Sequence, residues 1–243
     1  MYKECYMFDT PDSNTTIWRY IDFPKFVDLI TSNKLFFCRS DNFEDPYEGI
    51  FQLRDHEETK VMLQNQKLTK KFYFLNCWHI NEHQSDAMWK IFLNTKNGIA
   101  IKSKVGNVIE SFKNSQDDIY IGKVNYRDFE KVSFTDLIFE SQNLIKNGHR
   151  SINQFNYKRI SFEHEKELRL FYIDTPIPHV TKNETPRDPL TEKYISVDIK
   201  KLINEIVIAP FADIWFQKMV KRLLQNLGLH FEIIQSNLYM LKE

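Results

Sequence analysis

Glycine is scarce in this chain, with 6 among 243 residues, and nowhere dense enough to cradle a phosphate. Neither a P-loop nor a dinucleotide fingerprint is present, so a nucleotide would have to be gripped by side chains rather than by a Gly-rich backbone. Cysteine is scarce as well. Cys5, Cys38 and Cys77 are odd in number and widely spaced, which predicts buried free thiols in a reducing compartment rather than a disulfide scaffold. No apolar run approaches the ~18 residues a membrane span needs. The opening MYKECYMFDT carries no secretory signal, so a soluble, cytoplasmic chain with no membrane partner is expected. Net charge is missing too: 33 basic and 33 acidic residues cancel, leaving no general field to attract nucleic acid or an anionic surface.

What is present in quantity is apolar and aromatic. Apolar residues make up 42%, with 20 Phe and 11 Tyr, enough to bury a core and to exclude a disordered chain. No repeat or linker divides the sequence, and a single α+β domain over residues 1–243 is expected. Strand patterns run over residues 16–21, 35–40, 72–80, 98–102, 119–126, 194–197, 206–209 and 230–235. Helical patterns follow Asp22 and Pro24, then cover 54–71, 85–93 with Ser85 as N-cap, 105–112, 134–146 and 213–227. Residues 41–49 form a polar turn segment, and 174–189, with four prolines, form a long candidate binding loop.

The stretch 158–173, KRISFEHEKELRLFYI, organises the functional reading. Read as a strand, it sends Glu163, Glu165, Glu167 and Arg169 to one face. Three carboxylates in a row repel each other and raise one another's pKa values, so they call for a cation, a hydrogen-bonding ligand or water.

Several pieces, in order, resemble a large bacterial family known mainly by its sequence pattern, a domain of unknown function. They are Trp18-Arg19-Tyr20, Leu35-Phe36-Phe37, Phe43-Glu44-Asp45-Pro46-Tyr47-Glu48, Cys77-Trp78, Met88-Trp89, Gly98-Ile99-Ala100-Ile101 and Glu165-Lys166-Glu167-Leu168-Arg169. Phe92 stands where that pattern tends to have tyrosine, and Glu44 where it tends to have asparagine. The order of strand with Arg, helix, strand ending in Ser and later strand with Glu-x-Glu is also similar to the ADP-ribosyltransferase layout. That second resemblance implies mixed, mostly antiparallel sheets forming a cleft flanked by helices, and NAD as substrate. Arg19 would hold the phosphates or ribose, Ser40 with Arg39 would lie beside the nicotinamide ribose, and Trp18, Tyr20 or Phe36 would stack on a ring. Glu167 would accept from the ribose 2′-hydroxyl, and Glu165 would take the proton of the incoming nucleophile. The resemblance further implies a macromolecular acceptor, protein or nucleic acid, and a toxin or antiphage setting in which an antitoxin or other partner protein would bind.

Other readings stay open on the residues alone. Arg19 could pair with Asp22 or with a glutamate, Ser40 could cap a strand end, and Asp45 could serve only its own turn. Trp78, Met88 and Trp89 are expected in the core. His79 and His83 lie four apart near Cys77, but no second cluster completes a zinc site, and no metal is expected. A metal-dependent nuclease would need Asp45, Glu48, Glu163 and Glu165 to gather around Mg²⁺. A non-catalytic nucleotide- or protein-binding module would keep the aromatics and Arg19 without needing Glu167.

Overall fold

Asp22 turns the first strand into the first helix: its carboxylate accepts from the Lys25 N–H, and Pro24 sits in the first turn, where its missing N–H costs nothing. The structure, a computed structural model, describes residues 1–5, 8–50, 58–93, 96–132, 154–175 and 188–241. Strands β1 (Thr16–Asp22), β2 (Lys34–Arg39) and β3 (Tyr73–Ile80) flank helices α1 (Phe23–Ser32) and α2 (Glu58–Lys70). Helix α3 (Asp86–Phe92) follows, and its first-turn Met88 N–H donates to the Ser85 hydroxyl, the expected N-cap. Next come β4 (Gly98–Lys104), α4 (Val105–Ser111), β5 (Tyr120–Lys123), β6 (Asn125–Arg127) and β7 (Tyr157–Arg159). The chain closes with β8 (Glu167–Ile173), β9 (Lys193–Ser196), α5 (Ile199–Leu202), β10 (Glu205–Ile208), α6 (Ile214–Asn226) and β11 (Glu232–Gln235).

The architecture is α+β: one nine-stranded, mostly antiparallel sheet with helices, plus a small parallel pair of β6 and β7. Among the described residues, only β10 and β11 run parallel within the large sheet. The mixed sheets expected from the sequence are thus mainly one sheet, with a fork in it. Strand β3 is paired along one whole edge by β8, from Tyr73↔Ile173 to His79↔Glu167. Its other edge is shared. Strand β1 takes the end at His79 and Ile80, while β2 takes the opposite end at Phe74 and Leu75. Between them β1 and β2 part, and Asn76 bridges the gap, donating to the Phe36 carbonyl at 2.8 Å and accepting from the Trp78 indole.

Alternation along the strands sorts the two faces. One face carries Ile17, Phe74, Trp78, Leu168 and Leu170 into the main core, covered by Phe26 and Leu29 of α1, Val108 of α4 and Phe216 and Val220 of α6. The other face holds two smaller apolar clusters. Trp18, Tyr20, Ala100 and Val207 pack with Met88 and Trp89 of α3, and Leu75 and Phe171 pack with Phe8 and Phe155. Trp78, Met88 and Trp89 are therefore core residues, as their spacing predicted. Between the two clusters the same face carries Cys77, His79, Glu167 and Arg169, fixed by the register Cys77↔Arg169 and His79↔Glu167.

One expectation changes shape. Residues 158–173 are not a continuous strand: β7 ends at Arg159, Ile160–Glu165 forms a 3-10 helix, and Lys166 takes a left-handed φ of 40° before β8 begins. The alternation that places Glu167 with Arg169 holds. It does not extend to Glu163, which is exposed on the 3-10 helix. Likewise the expected strand 119–126 divides into β5 and β6, and α5 had no clear pattern in the sequence. The three cysteines are free, and each is half-buried rather than buried. The helix expected over 134–146 and residues 176–187 of the proline-rich loop lie outside the described residues.

Candidate functional site

The site is built around a buried ion-pair network that ends at a small cavity. Arg169 has no exposure. Its Nε donates to Glu167 Oε2 at 2.6 Å, and its Nη1 donates to Glu48 Oε1 at 2.6 Å and to the Phe155 carbonyl at 2.7 Å. Lys158 completes the cluster: its ammonium donates to Glu165 Oε2 and to Glu167 Oε1, both at 2.6 Å, with Glu48 at 3.9 Å. The bend that breaks the strand pattern makes this possible. The 3-10 helix folds the chain back so that Lys158, seven residues before Glu165, reaches both carboxyl groups.

Glu48 arrives through a tight turn. Asp45 accepts from the Tyr47 N–H, the Glu48 N–H donates to the Asp45 carbonyl, and Gly49 takes a left-handed φ of 67°. A Cβ on Gly49 would stand 2.2 Å from the Phe155 ring, so both the backbone and the space require glycine. Asp45 has a second partner in Arg159, which donates at 2.9 Å and lies over the Tyr47 ring.

The charges of the network explain its protonation. Two cations, Lys158 and Arg169, face three acids, Glu48, Glu165 and Glu167, and the cluster is neutral if one acid keeps its proton. That acid is Glu165: burial and a hydrogen bond to the neighbouring Glu167 carboxylate raise it to about 8. Burial also disfavours charge on Glu167, but Arg169, the Glu165 hydrogen bond and Lys158 hold it well below the usual carboxylate range. The two titrate as a pair sharing a proton. The Glu167 N–H is bound by the Tyr126 hydroxyl at 2.8 Å, whose own pKa burial and Glu167 push up beyond the ordinary range.

Glu165 and Glu167 line a cavity of about 30 Å³ together with Trp18, Arg19, Tyr20, Cys77, Trp78, His79, Met88 and Phe92. Arg19 lies at the fork. Its guanidinium stands 6.0 Å over the Trp78 ring, Nη1 is buried, and no described residue accepts a hydrogen bond from it. Burial lowers Arg19 to about 10, which leaves it charged at neutral pH. Asp22, its expected alternative partner, is committed to Lys25 and the cap of α1. Arg19 also lines a second, larger crevice of about 350 Å³, walled by Ile21, Leu29, Leu35, Phe36 and Tyr194 with the charged Lys25, Asp28 and Lys34. Its position thus touches both spaces.

His79 donates from Nδ1 to the Glu165 carbonyl at 2.6 Å, since a carbonyl can only accept. Burial lowers its pKa, so the ring is neutral at pH 7 and Nε2 is a lone-pair acceptor, buried and unpartnered. Burial pushes the Cys77 thiol above its usual range, which leaves it inert as a nucleophile.

The structure brings together Trp18, Arg19, Tyr20, Glu165 and Glu167 from the sequence reading. Trp18 donates its indole N–H to the Asn81 carbonyl, and the Tyr20 hydroxyl accepts from the Ser85 N–H, so both are fixed walls of the cavity. Ser40 and Arg39 do not join them. Arg39 pairs with Phe74 on β3, five residues or roughly 17 Å along the strand from His79. Ser40 next to it is fully buried and donates to the Lys70 carbonyl, and the Arg39 guanidinium is taken by Asp41 and the Leu190 carbonyl. The four proposed metal ligands do not gather either, because Asp45 and Glu48 are held by arginines and Glu163 is exposed. No group of three or more His, Cys, Asp or Glu among the described residues is placed to hold a metal. Lys158 and Tyr126 escaped the sequence reading, since no local pattern says that the chain doubles back at residue 160, and His79 was weighed only as a zinc ligand with His83.

Residues 88–170 match a family described as "Protein of unknown function (DUF2971)". The match bears out the resemblance to a domain-of-unknown-function family, and its span includes Met88-Trp89, Gly98 to Ile101 and Glu165 to Arg169. It says nothing of the ADP-ribosyltransferase resemblance. No curated protein matches the chain. No helix among the described residues is long and apolar enough to cross a membrane.

Proposed function

We propose that the protein cleaves the nicotinamide–ribose bond of NAD, as an ADP-ribosyltransferase or NAD glycohydrolase. The observation that carries this reading is that Arg19, whose buried Nη1 has no hydrogen-bond partner among the described residues, lines the same small cavity as the proton-sharing pair of Glu165 and Glu167. Arg19, reachable from the 350 Å³ crevice, grips the diphosphate, a role its planar fork suits. As the C1′–N1 bond breaks, its electron pair leaves with neutral nicotinamide and positive charge builds on the ribose. Glu167, kept ionised by Lys158 and Arg169, opposes that charge and accepts from the 2′-hydroxyl. Glu165 in its ionised form takes the proton of the incoming hydroxyl as the new C1′–O bond forms.

The test is incubation with labelled NAD and cell extract, scored for nicotinamide release and labelled macromolecules. Glu165→Gln should lower turnover at least ~100-fold, and Arg19→Ala should weaken NAD binding. Wild-type turnover should rise with pH towards about 8, where Glu165 loses its proton. No nicotinamide release from the wild type would end the enzymatic reading. A second reading, a nucleotide-binding module without catalysis, has its own support: both Glu167 oxygens already accept from Lys158 and Arg169. It predicts NAD binding lost in Arg19→Ala with no turnover in any variant.

A further inference from the structure

Helix α6 is held to the sheet by one stripe: Phe216, Val220 and Leu224, each four residues from the next, face the main core. Ile214 and Trp215 in its first turn lie off that stripe and are 71% and 56% exposed. Phe92, Phe211 and Tyr239 are 48–57% exposed, and the Phe211 and Tyr239 rings stack with centroids 4.6 Å apart. Two hollows lie among these side chains. One, of about 250 Å³, is lined by Trp89, Leu93, Phe211 and Tyr239; the other, of about 480 Å³, by Phe23, Phe92, Trp215 and Met219. The chain neighbours Phe92 and Leu93 fall in different hollows, as do Lys96 and Asn97, so the hollows adjoin across the link from α3 to β4 and form one face.

We infer that this face pairs with the same face of a second copy of the chain about a two-fold axis. Area is the first argument. The five exposed side chains leave roughly 700 Å² in water, beyond the ~300–600 Å² of a typical monomer's largest apolar patch and near the ~800 Å² each partner brings to a standard interface. Charge is the second. Asp86 is closed by Lys90 at 2.7 Å and by the Tyr239 hydroxyl, and Asp22 by Lys25 at 2.9 Å, so the rim offers no net sign to select a charged partner or an anionic membrane. Shape is the third: projecting Ile214 and Trp215 stand beside hollows with aromatic walls, and a two-fold axis sets the projections of each copy against the hollows of the other. Phe92 also lines the small cavity of Glu165 and Glu167, so the interface borders the candidate site. None of this depends on the NAD reading.

Sedimentation velocity of the full chain at micromolar concentration should give a particle of twice the 29.2 kDa chain mass. Trp215→Asp should raise the dissociation constant at least about thirtyfold, the loss expected for an aromatic anchor, while keeping the far-UV circular dichroism of the wild type. Phe211→Ser, at the other hollow, should weaken pairing as well, so the result does not hang on the folding of one variant. Leu227→Asp, 41% exposed just past the far end of α6, should leave the dimer intact. A wild type that stays monomeric at every concentration, or a dimer that survives Trp215→Asp and Phe211→Ser together, overturns the inference. So does a monomer that floats with phosphatidylcholine vesicles, which would assign the face to a lipid surface.

Discussion

Replacing Arg169 with methionine tests the network at its centre. Methionine has a similar reach and fits an apolar wall, so the change removes charge and hydrogen bonds more than volume. In the native cluster two cations balance two ionised acids while Glu165 holds its proton. Without Arg169, Glu167 keeps Lys158 as its ion-pair partner, while Glu48 loses its close one and keeps only the 3.9 Å contact to Lys158 and the field of Lys70. The hydrogen bond from Arg169 Nη1 to the Phe155 carbonyl is lost as well. Removing one partner of a buried ion pair costs about 3–5 kcal/mol. With a urea m-value near 3 kcal/mol per molar for a chain of this length, the midpoint should fall by about 1–1.7 M with m unchanged. The loss should shrink in acid, because a Glu167 deprived of Arg169 takes up its proton at a higher pH than in the native cluster. Adding Glu48→Gln should restore part of it, so the double variant is less destabilised than the sum of the singles. A midpoint within about 0.3 M of wild type at pH 7, or additive singles, would refute this account of the cluster.

The Glu165 carboxyl should give stability its own pH dependence. Its folded pKa of about 8 lies above the unfolded value, so the folded state binds the extra proton between about 4.5 and 8 and stability falls as pH rises through that window. Thermal melts of Glu165→Gln should lose that slope; an unchanged slope would point to another group. Glu167 acts oppositely: its depressed pKa contributes stability above about 4.5 that is lost as pH falls towards its folded value. Gly49→Ala should cost more than about 2 kcal/mol in urea unfolding, since it meets both a left-handed φ and the Phe155 ring. Ser40→Ala should cost about 1 kcal/mol for the lost bond to Lys70. It should leave any NAD turnover unchanged, whereas lost turnover would return Ser40 to the site.

Local signals were sufficient wherever the chain obeys a period or a cap. Asp22-x-Pro24 fixed the start of α1, Ser85 that of α3, and period-two alternation placed β1, β3 and β4 within a residue or two. The pairing of Glu167 with Arg169 on one strand face was legible for the same reason. The network's other members were not, because they arrive through turns. The 3-10 helix Ile160–Glu165, closed by a Lys166 in a left-handed conformation that a lysine does not advertise, takes Glu163 out of the row and lets Lys158 fold back onto Glu165 and Glu167. Ser40 failed for another reason: residue order along β2 does not say which end of β3 the strand will occupy. Only the fork, with β1 at His79 and β2 at Phe74, separates Ser40 from Arg19.

The fork also explains why Arg19 stands apart from the charge balance. Strands β1 and β3 remain paired at Trp18↔His79 and separate immediately afterwards, so the next residue, Arg19, is the first with no backbone partner on β3, and its guanidinium lies over the Trp78 ring. A cation placed there is not neutralised by the Lys158–Arg169 cluster, whose acids are already matched, and Asp22 is turned away to cap α1. Burying an uncompensated guanidinium costs several kcal/mol unless water or a ligand reaches it. The 350 Å³ crevice that Arg19 lines supplies that access.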